Sequence, residues 1–152
     1  MTAIPGPLDI EIAPHLRLRE VACQCADCLG RTAPMNVRLL QAWAYWRERR
    51  NSQIMVVSGF RCARHNAKVG GARESKHMLG VALDVGFPGD VDLMDDDLLG
   101  EMLACGFRGI GRSENRLHID VRERAYFWRY LANGKHERDA RAHLMLKDVS
   151  GR

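Results

Sequence analysis

Two short segments of the sequence carry three side chains that one metal ion could bind together. The first, Ser-Lys-His-Met-Leu-Gly-Val-Ala-Leu-Asp at residues 75–84, supplies His77 and Asp84, and the second, Leu-His-Ile-Asp at residues 117–120, supplies His118. Two imidazoles and one carboxylate suit zinc, and a set of three leaves one coordination position open. An open site does chemistry, whereas a closed four-ligand site usually only supports a fold. The pattern predicts a catalytic metal centre rather than ordinary hydrogen-bonded core residues.

These segments resemble the motifs of the M15 zinc peptidases, which include D-alanyl-D-alanine carboxypeptidases and phage endolysins that cut bacterial cell-wall peptides. The resemblance also covers Ser-Gly-Phe-Arg-Cys-Ala-Arg-His-Asn at residues 58–66 and the glycines at 70–71 and 109–111, and it spans roughly residues 16–130. It implies one catalytic zinc ion, a peptidoglycan stem peptide as substrate, and the fold named for hedgehog proteins and D-Ala-D-Ala peptidases. By motif, the zinc ligands are His77, Asp84 and His118.

Two carboxylates are candidates for the general base that takes a proton from the attacking water. The resemblance implies a carboxylate shortly before the last histidine, and Glu114 stands four residues before His118. Several relatives place theirs three residues before, where this chain has Asn115. Asp120 is the second candidate, because residues two apart on a strand share a face. We favour Glu114 as the base, and Asp120 as a partner that orients an imidazole.

Arg61 and Ser75 are the candidates for substrate contact. Arg61 matches the arginine that, by resemblance, contacts a substrate carboxylate or the developing oxyanion, and a guanidinium fork suits both. A surface arginine after a strand is the alternative. Ser75 matches the serine of the motif, which implies a hydrogen bond to substrate or a brace within its loop.

The leading function is therefore a zinc-dependent peptidase that hydrolyses peptidoglycan stem peptides, as a D-Ala-D-Ala carboxypeptidase or as an endopeptidase. The alternative is a noncatalytic zinc-binding module of the same fold that binds cell wall or protein. A third possibility, a basic nucleic-acid-binding protein with a cysteine-bound zinc ion, leaves His77, Asp84 and His118 unexplained.

Charge and hydropathy restrict the partners and the compartment. The net charge is +4, but the cationic residues are scattered, so we expect no nucleic-acid partner. No apolar run approaches the roughly 18 residues that span a bilayer, and the N-terminus lacks the pattern of a secretory signal. We therefore expect a monomer that is made in the cytoplasm and reaches the cell wall by phage lysis or virion delivery.

The five cysteines are an odd number, so they cannot all pair internally. Cys23, Cys25 and Cys28 lie close together, whereas Cys62 and Cys105 lie apart. The three clustered thiols can form a structural zinc site with Cys62 or a histidine as the fourth ligand. Their spacing is not a pair of Cys-x-x-Cys knuckles, so we favour inert cysteines or one incidental disulfide.

The order of predicted elements indicates a single α+β domain over residues 1–152, with an antiparallel sheet flanked by helices on one side. Residues 1–15 are expected to be an extended lead-in, and residues 131–152 a helical tail. Tryptophans at helical spacing predict a helix that faces the core. The predicted helices cover residues 34–50, 92–105, 125–132 and 137–147, and the predicted strands cover residues 53–60, 81–87, 107–112 and 117–121.

Overall fold

The computed structural model describes residues 10–28 and 33–151, so the first nine residues of the expected lead-in lie outside it. The chain begins with a hairpin of β1 (Glu11–Ala13) and β2 (Leu16–Arg17) and a short helix α1 (Leu18–Val21). The remaining elements are α2 (Val37–Arg50), β3 (Met55–Ser58), α3 (Ala63–Lys68), a 3₁₀ turn (Lys76–Leu79), β4 (Ala82–Gly86), α4 (Asp96–Ala104), β5 (Gly109–Ser113), β6 (Arg116–Asp120), β7 (Tyr126–Tyr130), β8 (His136–Arg138) and α5 (Ala140–Ser150).

Six strands form one sheet in the order β3-β4-β6-β5-β7-β8. The α+β class is thus confirmed, but the sheet is mixed rather than wholly antiparallel, because β5 and β7 run parallel. The chain reverses after β6 through residues 121–125 and passes the end of β5 before it enters β7. A hydrogen bond from the Tyr126 backbone N–H to the Arg108 carbonyl, 2.9 Å long, begins the parallel pairing.

The two faces of the sheet have different environments because successive side chains on a strand alternate. One face carries Leu83, Ile110, Ile119 and Phe127, which belong to a single core with apolar residues of α2, α4 and α5. The other face carries the polar residues between them, including Asp84, His118 and Asp120. The candidate site therefore lies on the face opposite α2, α4 and α5.

Helix α2 anchors this core. Asn36 begins the helix, since its side chain accepts a hydrogen bond from the Arg38 N–H, and Asn51 ends it in the left-handed conformation. Trp43 and Trp46 are fully buried, and the Trp43 indole N–H donates to the Pro14 carbonyl at 3.0 Å. This confirms that the tryptophans face the core.

The helix predicted at residues 125–132 is wrong, because these residues form β7. Aromatic side chains fit a pleated, half-buried surface, and here Phe127 enters the core while its neighbours face the other way. The sequence predicts a break between two helices at Asn133-Gly134, but these residues form the turn of the β7–β8 hairpin. The described residues 131–151 are consequently helical only in α5, after β8. Within the described residues, no helix is long and apolar enough to cross a membrane.

Candidate metal centre

The structure brings His77, Asp84 and His118 together. His77 lies on the 3₁₀ turn, while Asp84 and His118 are paired across β4 and β6. The His77 Nε2 atom lies 3.3 Å from Asp84 Oδ1 and 3.2 Å from His118 Nδ1, and His118 Nδ1 lies 3.0 Å from Asp84 Oδ1. All three side chains are buried.

In each histidine, the ring nitrogen that points away from the other two side chains makes the hydrogen bond that fixes the tautomer. His77 Nδ1 lies 2.7 Å from the Gly59 carbonyl oxygen, which can only accept, so Nδ1 donates and Nε2 keeps its lone pair. His118 Nε2 lies 2.9 Å from Asp120 Oδ2, so Nε2 donates and Nδ1 keeps its lone pair. Three acceptor atoms therefore converge on one point.

This convergence fits a metal ion. Ligands at about 2.0–2.1 Å in tetrahedral geometry are separated from one another by about 3.3 Å, close to the spacing of these three atoms. With both imidazoles neutral, no hydrogen-bond donor lies between the three acceptor atoms. A bound cation would satisfy all three lone pairs. Arg61 Nη2 lies 2.7 Å from Asp84 Oδ2, and this neighbouring cation favours the charged form of the carboxylate. Asp84 can therefore serve as an ionised metal ligand.

Ser75 and Gly80 hold the turn that presents His77. The Ser75 hydroxyl accepts from the His77 N–H at 3.3 Å, and Arg61 N–H donates to the His77 carbonyl at 3.2 Å. Gly80 has a φ of +67°, and a Cβ there would lie 1.7 Å from the Pro34 carbonyl oxygen. Ser75 is thus a brace within its loop, and it also lines the cleft above the centre.

Arg61 lies against a ligand. Its Nη2 donates to Asp84 Oδ2 at 2.7 Å, and its Nε donates to Ser58 Oγ at 3.0 Å. These bonds hold one carboxylate oxygen and leave Oδ1 for the metal. Arg61 also lines the cleft, so it can contact a substrate as well.

Arg61→Lys is therefore expected to weaken zinc binding as well as catalysis. A single ammonium cannot make both bonds of the guanidinium fork, so the Asp84 carboxylate loses orientation. Loss of such an outer partner typically costs about 10–100-fold in metal affinity or activity. Competition with a chromophoric chelator measures the zinc affinity. Unchanged affinity with weakened peptide hydrolysis would assign Arg61 to the substrate alone.

Asp120 lies behind His118. It has no exposed surface, and it accepts from His118 and from the backbone N–H and Nε of Arg122 at 3.1 and 2.8 Å. Burial would raise the pKa of Asp120, but the hydrogen bonds from Arg122 and His118 hold it well below its usual range. Burial likewise opposes charge on His118, yet the bond to Asp120 raises the pKa of that imidazole. Asp120 thus orients the ligand His118.

Glu114 does not join the centre. It is exposed on the β5–β6 turn and lines a separate hollow with Met94 and Asn115. The strand β6 that carries His118 begins at Arg116, so Glu114 lies beyond the end of that strand.

An open cleft of about 640 Å³ lies over the centre. His77 and His118 form part of its surface, beside Arg61 and Ser75. The sequence did not predict the opposite wall of the cleft. This wall is formed by residues of β6–β8 and the adjoining loops: Arg116, Arg122, Tyr126, Trp128, Tyr130 and His136. Glu74 also lines the cleft. The alternating aromatic residues of β7 were the signal that could have indicated this wall.

Two glycines of β5 make room for the site. A Cβ on Gly111 would lie 2.2 Å from the Trp128 indole, and a Cβ on Gly109 would lie 2.1 Å from Asp120 Oδ1. Trp128 therefore crosses β5 at Gly111, and its ring centroid lies 5.1 Å from that of His118. The Gly-Ile-Gly segment is required for close packing around the ligand.

Gly111→Ala is expected to destabilise the protein by about 1–3 kcal/mol, because overpacking forces the indole and the strand apart. Chemical denaturation measures the change. Gly100→Ala is the matched control: its Cβ would meet Met145 at an ordinary 3.7 Å inside α4, and alanine is preferred to glycine in a helix by about 1 kcal/mol. Equal effects of the two substitutions would contradict the packing argument.

A comparison with protein families adds the deciding observation. The family model described as Peptidase M15 matches residues 14–120 of the 152-residue chain. The chain belongs to the Peptidase M15 family. The match contains His77, Asp84, His118 and Arg61, and it ends with β6, so the aromatic strand β7 lies beyond it. A comparison with curated proteins found no match.

Proposed function

We propose that the protein is a zinc-dependent peptidase that hydrolyses peptide bonds of peptidoglycan stem peptides. The observation that carries this proposal is the set of three acceptor atoms, spaced for a tetrahedral metal ion, beneath an open cleft in an M15 peptidase. Zinc is the metal favoured by two imidazoles and one carboxylate.

When bound, zinc polarises a carbonyl and lowers the pKa of a water molecule to about 7. The chain's own residues hold and orient this centre. His77, Asp84 and His118 bind the ion, while Gly59 and Asp120 fix the two imidazole tautomers. These outer bonds orient the ligands before substrate arrives, which is the usual function of such partners.

The cleft has the chemistry for a peptide with carboxylate groups. Arg116 lies over the Tyr130 ring at 4.3 Å, and Arg122 lies 5.1 Å from the Trp128 ring centroid. Both arginines line the cleft beside Arg61. Because Arg122 already binds Asp120, Arg116 is the better candidate for a bidentate bond to a substrate carboxylate. The aromatic rings offer apolar surface to the rest of the substrate.

We assign proton transfer to Glu74 rather than to Glu114 or Asp120. A general base must lie within reach of the attacking water. Glu74 is the carboxylate among the residues lining the cleft, whereas Asp120 is sealed behind His118 and Glu114 lines another hollow. Glu74 precedes the brace Ser75, and its side chain is exposed.

Digestion of purified peptidoglycan tests the function. The zinc-loaded protein is expected to release peptides that mass spectrometry identifies, and a chelator is expected to abolish the release. Terminal D-alanine as the product indicates a carboxypeptidase, while cut stems or cross-bridges indicate an endopeptidase. A zinc-loaded protein that binds wall material without cutting it would instead be the noncatalytic module.

A further inference from the structure

Four cysteines outside the cleft form a second convergent cluster. The sulfurs of Cys23, Cys25, Cys28 and Cys62 all lie within 4.8 Å of one another. All four are free thiols, and the Cys25 and Cys62 sulfurs are 3.7 Å apart. Tetrahedral zinc–sulfur bonds of about 2.3 Å separate ligand sulfurs by about 3.8 Å. The spacing matches a metal site better than a disulfide, whose sulfurs are about 2.0 Å apart.

Backbone N–H groups point at three of these sulfurs. Cys28 N–H donates to Cys25 Sγ at 3.3 Å, Cys62 N–H to Cys23 Sγ at 3.4 Å, and His65 N–H to Cys62 Sγ at 3.3 Å. Such donors stabilise negative charge on sulfur. The cluster is therefore arranged for thiolates, which need a compensating cation.

We propose that Cys23, Cys25, Cys28 and Cys62 bind a second metal ion, a structural zinc ion with four thiolate ligands. Four protein ligands close the coordination sphere, which is typical of a site that supports a fold. The sequence alone favoured inert cysteines because Cys-x-Cys-x-x-Cys is not a pair of knuckles. The fold supplies the missing ligand, since the end of β3 brings Cys62 beside the loop that follows α1.

The second site lies next to residues that shape the first. Cys62 directly follows Arg61, which holds Asp84, and Gly59, whose carbonyl holds His77, is three residues earlier. Phe60 N–H donates to the Val21 carbonyl at 2.7 Å, and a Cβ on Gly59 would lie 2.5 Å from the Val21 backbone. A metal ion that joins residues 23–28 to Cys62 therefore also fixes the segment that orients both His77 and Asp84.

Metal analysis of the full-length reduced protein tests this proposal independently of peptidase activity. The wild type is expected to bind two zinc ions per chain, His118→Ala to keep only the cysteine-bound ion, and Cys62→Ser to lose that ion. Cys105→Ser, which removes a buried thiol outside the cluster, is the matched control and is expected to keep both ions. A Cys62→Ser protein with the metal content of the wild type would overturn the proposal.

Cobalt substitution of the wild type keeps the test decisive if Cys62→Ser does not fold. Four thiolates give an intense sulfur-to-cobalt charge-transfer absorption, which His77, Asp84 and His118 cannot produce. This absorption is expected in the wild type and in His118→Ala. Absence of this absorption from both proteins would indicate free thiols instead. A mass of the unreduced protein that is lower by the mass of two hydrogen atoms would indicate a disulfide.

Discussion

His118→Ala is expected to remove the metal ion from the His77–Asp84–His118 centre and to reduce hydrolysis of wall peptides below detection. The substitution removes one of three protein ligands, and two are too few to hold zinc in an open site. The fold should persist, because Asp120 keeps its bonds to Arg122 and Asp84 keeps its bond to Arg61. Zinc content, activity and the thermal transition measure the three expectations.

His15→Asn is the matched control for this variant. His15 is exposed, is not among the residues that line the cleft, and has a φ of 57°, a conformation that asparagine tolerates. It is expected to match the wild type in metal content and activity. Zinc added after chelation should restore the wild type and this control, but not His118→Ala. Combining His118→Ala with Cys62→Ser removes the metal ion of the cysteine cluster from the count. Full metal occupancy of the remaining site would then refute the ligand assignment.

Glu74→Gln is expected to retain both metal ions and to lower turnover by about two to four orders of magnitude, the usual scale for acid–base assistance. The amide keeps the size of the side chain but cannot accept the proton. Turnover at saturating zinc, with metal content measured on the same sample, separates loss of chemistry from loss of the ion.

Glu114→Gln is the comparison that distinguishes the two assignments. Because Glu114 is exposed in another hollow, this variant is expected to keep the turnover of the wild type. The opposite pattern, with Glu114→Gln impaired and Glu74→Gln active, would restore the assignment made from motif spacing. It would also require the β5–β6 turn to move toward the centre when substrate binds.

Much of the fold could be predicted from local pattern. The helical spacing of the tryptophans predicted α2, and the β-branched and alternating runs predicted β3, β4 and the β5–β6 hairpin. Strand β7 was missed because its aromatic residues also fit a helical pattern. Its parallel pairing with β5 is a long-range contact, and strand propensity reflects such neighbours more than the residue itself.

The candidate metal ligands could be chosen from the sequence for a different reason. Residue type determines which side chains can bind zinc, and the motif spacing indicated His77, Asp84 and His118 as candidates without any coordinates. Residue type and spacing do not predict in the same way where the general base lies or which residues hydrogen-bond to the candidate ligands. Arg61 was assigned to the substrate, yet its guanidinium lies on Asp84, and that contact exists only because the end of β3 is bonded beside β4.

The sequence by itself thus determined the chemistry available to this protein: an M15 motif, two imidazoles and a carboxylate that can hold one ion, and thiols that can hold another. The tertiary structure decided which groups meet. The register of Asp84 opposite His118 places both ligands on the open face of the sheet, while the β5–β6 turn carries Glu114 away. Residues that act together here are joined by strand pairing across long stretches of chain, and pairing depends on the whole sheet rather than on any local segment.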